Sequence, residues 1–340
     1  MDESLTPPQE RANLIGLHGV ETRLRAAMGE GSLSHGWILA GPEGAGKATL
    51  AYRIARGLLD PAALTEPDSF EMPETAKTFR LVAAGAHPDL FVAERIWDDK
   101  KEKQQAEITI ETIRKLTGFL NRTASGGGAR VAIIDTADDM NRNAANALLK
   151  ALEEPPPGAV ILLLSAAPGR LLPTIRSRCR RIDLPPVSDL EVRAFLAAEG
   201  VEDDDAAAVT AHARGRPGYA LRLATGEGGE ALYLAEAFLK AAVAGEGLGE
   251  VTAGLSGRMG DERWPIFLAA VLGALSDGAR RAAMGEAEDA FGDADAGVLL
   301  DAWQSLSQLS ARGDALNLDR AQLVMAMAHD LRAALRGKAA

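Results

Sequence analysis

The sequence predicts an α/β protein: a P-loop domain on a parallel sheet, then a small helical domain and an all-helical C-terminal domain. Three observations carry this. Strand-like and helix-like segments alternate over the first ~185 residues, as they do where helices cover a parallel sheet. One of those strands runs into a glycine-rich turn and a helix. After Gly226-Glu227-Gly228-Gly229, only helical periodicity remains. The predicted domains are therefore 1–185, 186–227 and 228–340.

Taken in order, Trp37-Ile38-Leu39-Ala40 is a short buried strand leading into Gly41-Pro42-Glu43-Gly44-Ala45-Gly46-Lys47 and the helical pattern from Thr49 to Ala55. Glycines at 41, 44 and 46 let the backbone curl so that its N–H groups cradle phosphate. The helix N-terminus adds partial positive charge, and Lys47 would reach the outer phosphates. The next residue should be Ser or Thr, whose hydroxyl ligates Mg²⁺, but here it is Ala48. Thr49 lies about 100° further round the helix and does not simply replace it.

Arg130-Val131-Ala132-Ile133-Ile134-Asp135 is an apolar strand ending in a carboxylate, the position of a Walker B aspartate beside the P-loop. The following residue should be an acid that polarises water, and it is Thr136. Asp138 and Asp139 are expected to cap the next helix. The candidate nucleotide-binding residues are thus Gly41, Gly44, Gly46, Lys47, Thr49 and Asp135, a degenerate set. It predicts that ATP can be bound without hydrolysis, that no cofactor is required and that no metal is held.

Further strands are expected at Leu90–Val92, Ile161–Leu164 and Arg181–Leu184. Ile110, Ile113, Leu116 and Leu120 have helical spacing, and Asn141 is a cap for a helix that Pro155-Pro156-Pro157 stops. Segments 60–80 and 97–106 are expected to be irregular loops, and 125–128 a turn. Pro185-Pro186 marks a boundary, after which Ser188 and Glu191 form a capping box. In the last domain, Leu299, Trp303 and Leu306, and then Leu323, Met327, Leu331 and Leu335, form stripes expected to face a bundle core.

Composition bounds the function. With 340 residues, 47% apolar and 25% charged, the chain has room for two or three globular domains. Its net charge of −11 argues against autonomous binding to DNA. A single cysteine, Cys179, excludes a disulfide framework and a four-cysteine zinc site, and fits a reducing cytoplasm. The acidic N-terminus has no signal pattern, and no apolar run approaches bilayer-spanning length, so no membrane association is expected.

Several runs together carry a resemblance. They are His35-Gly36-Trp37-Ile38-Leu39-Ala40-Gly41, His87-Pro88-Asp89 and Ala137-Asp138-Asp139-Met140-Asn141. The longest is Ala144-Ala145-Asn146-Ala147-Leu148-Leu149-Lys150-Ala151-Leu152-Glu153-Glu154-Pro155. The last is Leu171-Leu172-Pro173-Thr174-Ile175-Arg176-Ser177-Arg178-Cys179. With them the chain resembles the clamp-loader branch of the AAA+ superfamily, and within it the delta-prime subunits of bacterial DNA polymerase III. The match spans most of the first two domains; the last matches weakly, at Leu316-Asn317-Leu318-Asp319-Arg320.

The resemblance implies a ring-like pentamer with ATP sites between neighbours. In it Arg178 of the Ser-Arg-Cys run reaches the next subunit's γ-phosphate as an arginine finger. It implies gamma/tau and delta subunits as partners, with the sliding clamp and primed DNA reached through the complex, and the C-terminal domain as the oligomerisation collar. The motor subunits carry a lid arginine where this chain has Gly218 in Gly215-Arg216-Pro217-Gly218, and a four-cysteine zinc module that one cysteine cannot supply. Arg216, two positions away, does not replace that arginine. Two functions stay open: a non-hydrolysing stator that donates Arg178, and a clamp-loader ATPase in which Thr49 or a water replaces the missing hydroxyl. Cys179 is expected to be a small buried residue, since no base partner is evident.

Overall fold

The computed structural model describes residues 6–29, 34–95, 97–98, 103–105, 107–125, 128–225, 227–285, 291–292, 294–316 and 318–336. Of the positions singled out above, residues 99–102 and 106 of the expected loop, Gly126, Gly127, Gly226 and Asn317 lie outside them. Two compact units result: Met1–Gly200 with Arg214–Tyr219, and Val201–Ala213 with Ala220–Ala340.

In the first unit, α1 (His18–Gly29) precedes β1 (Gly36–Ala40), which the P-loop joins to α2 (Lys47–Leu59). Then come α3 (Lys77–Ala83), β2 (Leu90–Ala93), the short strands β3 (Trp97–Asp98) and β4 (Lys103–Gln104), and α4 (Ile110–Leu120). The unit continues with β5 (Arg130–Ile134), α5 (Arg142–Glu153), β6 (Ala159–Ser165), α6 (Pro173–Arg176), β7 (Arg180–Asp183) and α7 (Asp189–Ala198). Five strands pair in parallel in the order β2-β5-β6-β1-β7. Strand alternation gives the sheet two apolar faces. Ile38, Ala132, Ile134, Ile161 and Leu163 pack with residues of α4 and α5. Trp37, Leu39, Val131, Ile133, Val160 and Leu162 pack with residues of α1 and α2.

Parallel pairing gives the sheet two unlike edges. The P-loop leaves the C-terminal end of β1, and Asp135 follows the C-terminal end of β5, so both lie at one edge. The Ser-Arg-Cys run enters β7 at its N-terminal end, at the opposite edge. There a Cβ on Gly36 would come within 2.9 Å of Cys179 Sγ, and His35 Nε2 donates to Leu152 O at 2.7 Å.

The helix caps follow from the sequence. Asn141 accepts from the Ala144 N–H at 2.9 Å, and the Ser188/Glu191 capping box forms. Asp138 and Asp139 do not cap α5. Asp138 accepts from Ser165 Oγ and from the Ala166 and Ala167 N–H groups, and Asp139 pairs with Arg95 at 3.2 Å. Residues 60–80 are not a loop throughout. Phe70 and Met72 are buried, α3 packs on α2, and Ser69 joins the buried Arg53–Glu21 pair. Apolar anchors without a regular period hide such a segment from pattern reading. Within 97–106, β3 and β4 form an antiparallel ribbon. Asp89 of His87-Pro88-Asp89 is a buried brace, accepting from the Ser125 N–H and pairing with Arg130 at 3.1 Å.

The second unit holds α8 (Asp203–Ala213), most of α9 (Pro217–Ala224), α10 (Gly228–Ala244), α11 (Leu248–Gly254), α12 (Gly257–Met284), α13 (Ala296–Leu316) and α14 (Arg320–Arg336). Helix α12 packs on α10 and α13, and α14 on α10, α11 and α13. Phe267 sits between Phe238 and Trp264, with ring centroids 5.5 and 5.6 Å apart. Leu299, Leu306, Leu323, Met327 and Leu331 are buried as expected and Leu335 is half-buried, but Trp303 is 39% exposed and Ala302 takes its place in the stripe. Gly228 and Gly229 begin α10 instead of ending a linker.

Candidate functional site

At the C-terminal edge of the sheet, Gly44 and Gly46 adopt φ of +80° and +92°, a region that favours glycine and lets the chain curl round the loop. Gly46 directly precedes α2, and the Gly41 N–H donates to Ser165 O at 3.1 Å. Lys47 Nζ donates to Gly41 O at 2.7 Å and Pro42 O at 2.9 Å. Burial lowers the Lys47 pKa, against the opposing pull of Asp135, Glu43 and Asp138. The left-handed glycines, the helix N-terminus and the lysine fit a phosphate. Ala48 leaves no hydroxyl there for a divalent ion, and Thr49 is half-buried one position further along α2.

Asp135 is brought to the same edge, its N–H bonded to Ala93 O at 2.9 Å. Its pKa is raised, chiefly by burial and also by Asp139, while a hydrogen bond from Thr136 Oγ1 (3.3 Å), Lys47 and Arg95 act in the opposite sense. Thr136 therefore serves the aspartate as a donor and offers no base. Sequence reasoning missed two residues here. Glu94 follows β2, whose Ala93 is in register with Ile134, so Glu94 and Asp135 end adjacent strands. Burial and Asp135 raise the Glu94 pKa, and burial with both carboxylates pushes Tyr52 up to about 12. An acid just after a strand was the available signal; the strand order that makes β2 the neighbour of β5 was not.

The Gly215–Gly218 stretch meets this loop within the first unit. The Gly218 N–H donates to Gly44 O at 2.9 Å, and a Cβ on Gly44 would lie 2.4 Å from the Tyr219 nitrogen. Arg216 stacks over the Tyr219 ring at 4.0 Å.

At the opposite edge, Arg178 follows α6. Its Nη2 pairs with Glu153 Oε1 at 2.7 Å, and its Nη1 donates to Thr174 O at 3.0 Å and to Ser177 Oγ at 3.3 Å. Its side chain is 35% exposed. Cys179 beside it is half-buried with its pKa pushed up to about 12 by burial, which keeps the thiol protonated and unreactive. The site residues read from the sequence thus fall into two groups: Gly41, Gly44, Gly46, Lys47, Thr49 and Asp135 at one edge, Arg178 at the other.

The fold and this loop define a P-loop α/β protein in which Ala48 and Thr136 stand where a metal-ligating hydroxyl and a water-polarising acid are expected. The chain belongs to the DNA polymerase III delta subunit family, whose model matches residues 17–188, just over half of it. It is 43% identical over 151 residues to DNA polymerase III subunit delta' of Pseudomonas aeruginosa, covering 44% of this chain and 43% of that one. Identity to the Escherichia coli (strain K12) delta' subunit is 32% over 210 residues, 62% of this chain and 60% of that one. The chain therefore spans about half the length of the curated relatives it matches. It is also 27% identical to the E. coli tau subunit over 186 residues, 55% of this chain and 27% of that one. A gamma-subunit-related protein of Thermotoga maritima, a solved structure, aligns with 94% of this chain and 99% of its own at 19% identity and a TM-score of 0.40.

Proposed function

We propose that this chain is a non-hydrolysing, delta-prime-type subunit of a DNA polymerase III clamp loader, working in the cytoplasm. In this reading it assembles with gamma/tau and delta subunits and acts on the sliding clamp and primed DNA through that complex. Residues 186–227 serve as the lid and 228–340 as the collar. The observation that carries the reading is the contrast between the two edges. One keeps a phosphate cradle while Ala48 and Thr136 supply neither metal ligand nor base. The other holds a half-exposed, permanently charged Arg178 on short contacts. In the assembly Arg178 approaches the neighbouring subunit's nucleotide, where its planar donors match charge spreading over the transferring phosphoryl oxygens. Phosphate release by the purified chain, alone and with the partner ATPase subunit, tests this. The chain alone should release phosphate at background rate and raise turnover when it joins the complex; turnover by the chain alone that disappears in Lys47→Ala rejects the reading.

One observation favours the second reading, an active ATPase: Glu94 ends the strand beside Asp135 and has a raised pKa, the disposition of a general base. Under that reading Glu94→Gln abolishes turnover by the isolated chain; under ours there is no turnover to lose.

A further inference from the structure

The geometry points to Glu153 as the positioning residue of Arg178, fixing the Nη1/Nη2 side of its guanidinium so that Nε is presented to a neighbouring subunit's phosphate. The inference rests on the trans-acting reading of Arg178. Three contacts hold that side: Thr174 O and Ser177 Oγ on Nη1, and Glu153 Oε1 on Nη2. Among the described residues Nε takes no partner, which leaves its N–H as the donor for an anion oxygen.

Glu153 suits this task because of where α5 ends. It is the last residue of that helix, followed by Glu154 and the three prolines, so its backbone position is set by a hard stop. The last carbonyls of a helix and its dipole favour a cation, adding to the carboxylate's attraction for Arg178. The second anchor, Thr174 O, belongs to α6, so two elements triangulate the guanidinium. A lock that hides the arginine from phosphate is disfavoured by exposure. Arg178 and Glu153 side chains are 35% and 48% exposed, and an ion pair so solvated is too weak to outcompete a nucleotide phosphate. It is strong enough to narrow the rotamers of a long side chain before the neighbour arrives.

The test uses the complex assembled from the full chain with its ATPase and delta-type subunits. Steady-state ATP turnover is compared for wild type, Glu153→Ala, Glu153→Gln, Arg178→Ala and the double variant Glu153→Ala/Arg178→Ala. Glu153→Ala should lower kcat about two- to fivefold with KM for ATP unchanged, the size expected for loss of one half-exposed contact. Glu153→Gln, which keeps an oxygen acceptor, should retain more turnover than Glu153→Ala, and the double variant should match Arg178→Ala alone. An unchanged or increased kcat in Glu153→Ala rejects the positioning role, as does an additive double variant. Failure of both Glu153 variants to assemble while Arg178→Ala assembles also rejects it, making Glu153 structural. If Arg178→Ala itself leaves turnover unchanged, the trans-acting reading falls and the inference falls with it.

Discussion

At the C-terminal edge of the sheet, Lys47 is half-buried against the carbonyls of its own loop and Gly218 donates to Gly44, while at the N-terminal edge Arg178 keeps about a third of its side chain in solvent. Both edges belong to one unit, and strand polarity separates them. A subunit that works in a ring needs them for different jobs. On the proposed reading, the C-terminal edge is where a chain would process its own nucleotide and the N-terminal edge where it would act on a neighbour's. In that reading Ala48 and Thr136 remove the first capacity, whereas the Leu-Leu-Pro turn, α6 and the end of α5 hold Arg178 for the second.

The largest expected effect sharpens that division. Arg178→Ala should leave folding and assembly intact and depress hydrolysis at the adjacent ATPase site by on the order of 10³-fold. Total turnover should fall less, because on the proposed reading the other sites of the ring carry arginines of their own. Arg176→Ala is the control: exposed, two residues away and with no assigned role. Equal losses in the two variants would mean that local charge, and not the placement of Arg178, matters.

A smaller effect probes the other edge. Gly44→Ala forces a side chain into a left-handed backbone, costing about 1–2 kcal/mol, and drives its Cβ toward the Tyr219 nitrogen. Chemical denaturation should report a loss of at least that size, and hydrogen exchange should show the Gly218 N–H losing protection. A neutral substitution would mean the 214–219 segment does not seat on the loop.

The smallest effect concerns pH. Burial raises the Glu94 pKa in the folded chain, so the folded state holds its proton more tightly than the unfolded one. Its stabilising share is complete below the unfolded carboxylate pKa of roughly 4.3 and is lost as pH rises through the higher folded value. Glu94→Gln removes that loss, so stability should decline less with pH above about pH 4. An unchanged slope between pH 4 and 7 would show that Glu94 is not desolvated beside Asp135.

Much of this was legible in the sequence. The β1–P-loop–α2 unit is a local signal, since glycines, lysine and flanking apolar runs are contiguous. The caps at Asn141 and Ser188 depend on residues within three positions, and both form. What stayed hidden depends on distant partners. Glu94 becomes part of the nucleotide edge only because β2 pairs with β5, and Asp138 turns to the end of β6 instead of capping α5. Residues 60–80 look polar, yet Phe70 and Ser69 find their partners on α1 and α2. Trp303 has the spacing of a core residue but lies on the flank of its stripe.

The division between the edges is tested most directly by ATP turnover of the assembled complex carrying either Lys47→Ala or Arg178→Ala in this chain. Lys47→Ala should leave turnover at the wild-type level, because on this account the chain's own P-loop hydrolyses nothing. Arg178→Ala should lower it, because the neighbour's site loses its trans-acting charge. A fall with Lys47→Ala and none with Arg178→Ala would contradict the account, placing the chemistry in this chain's own loop.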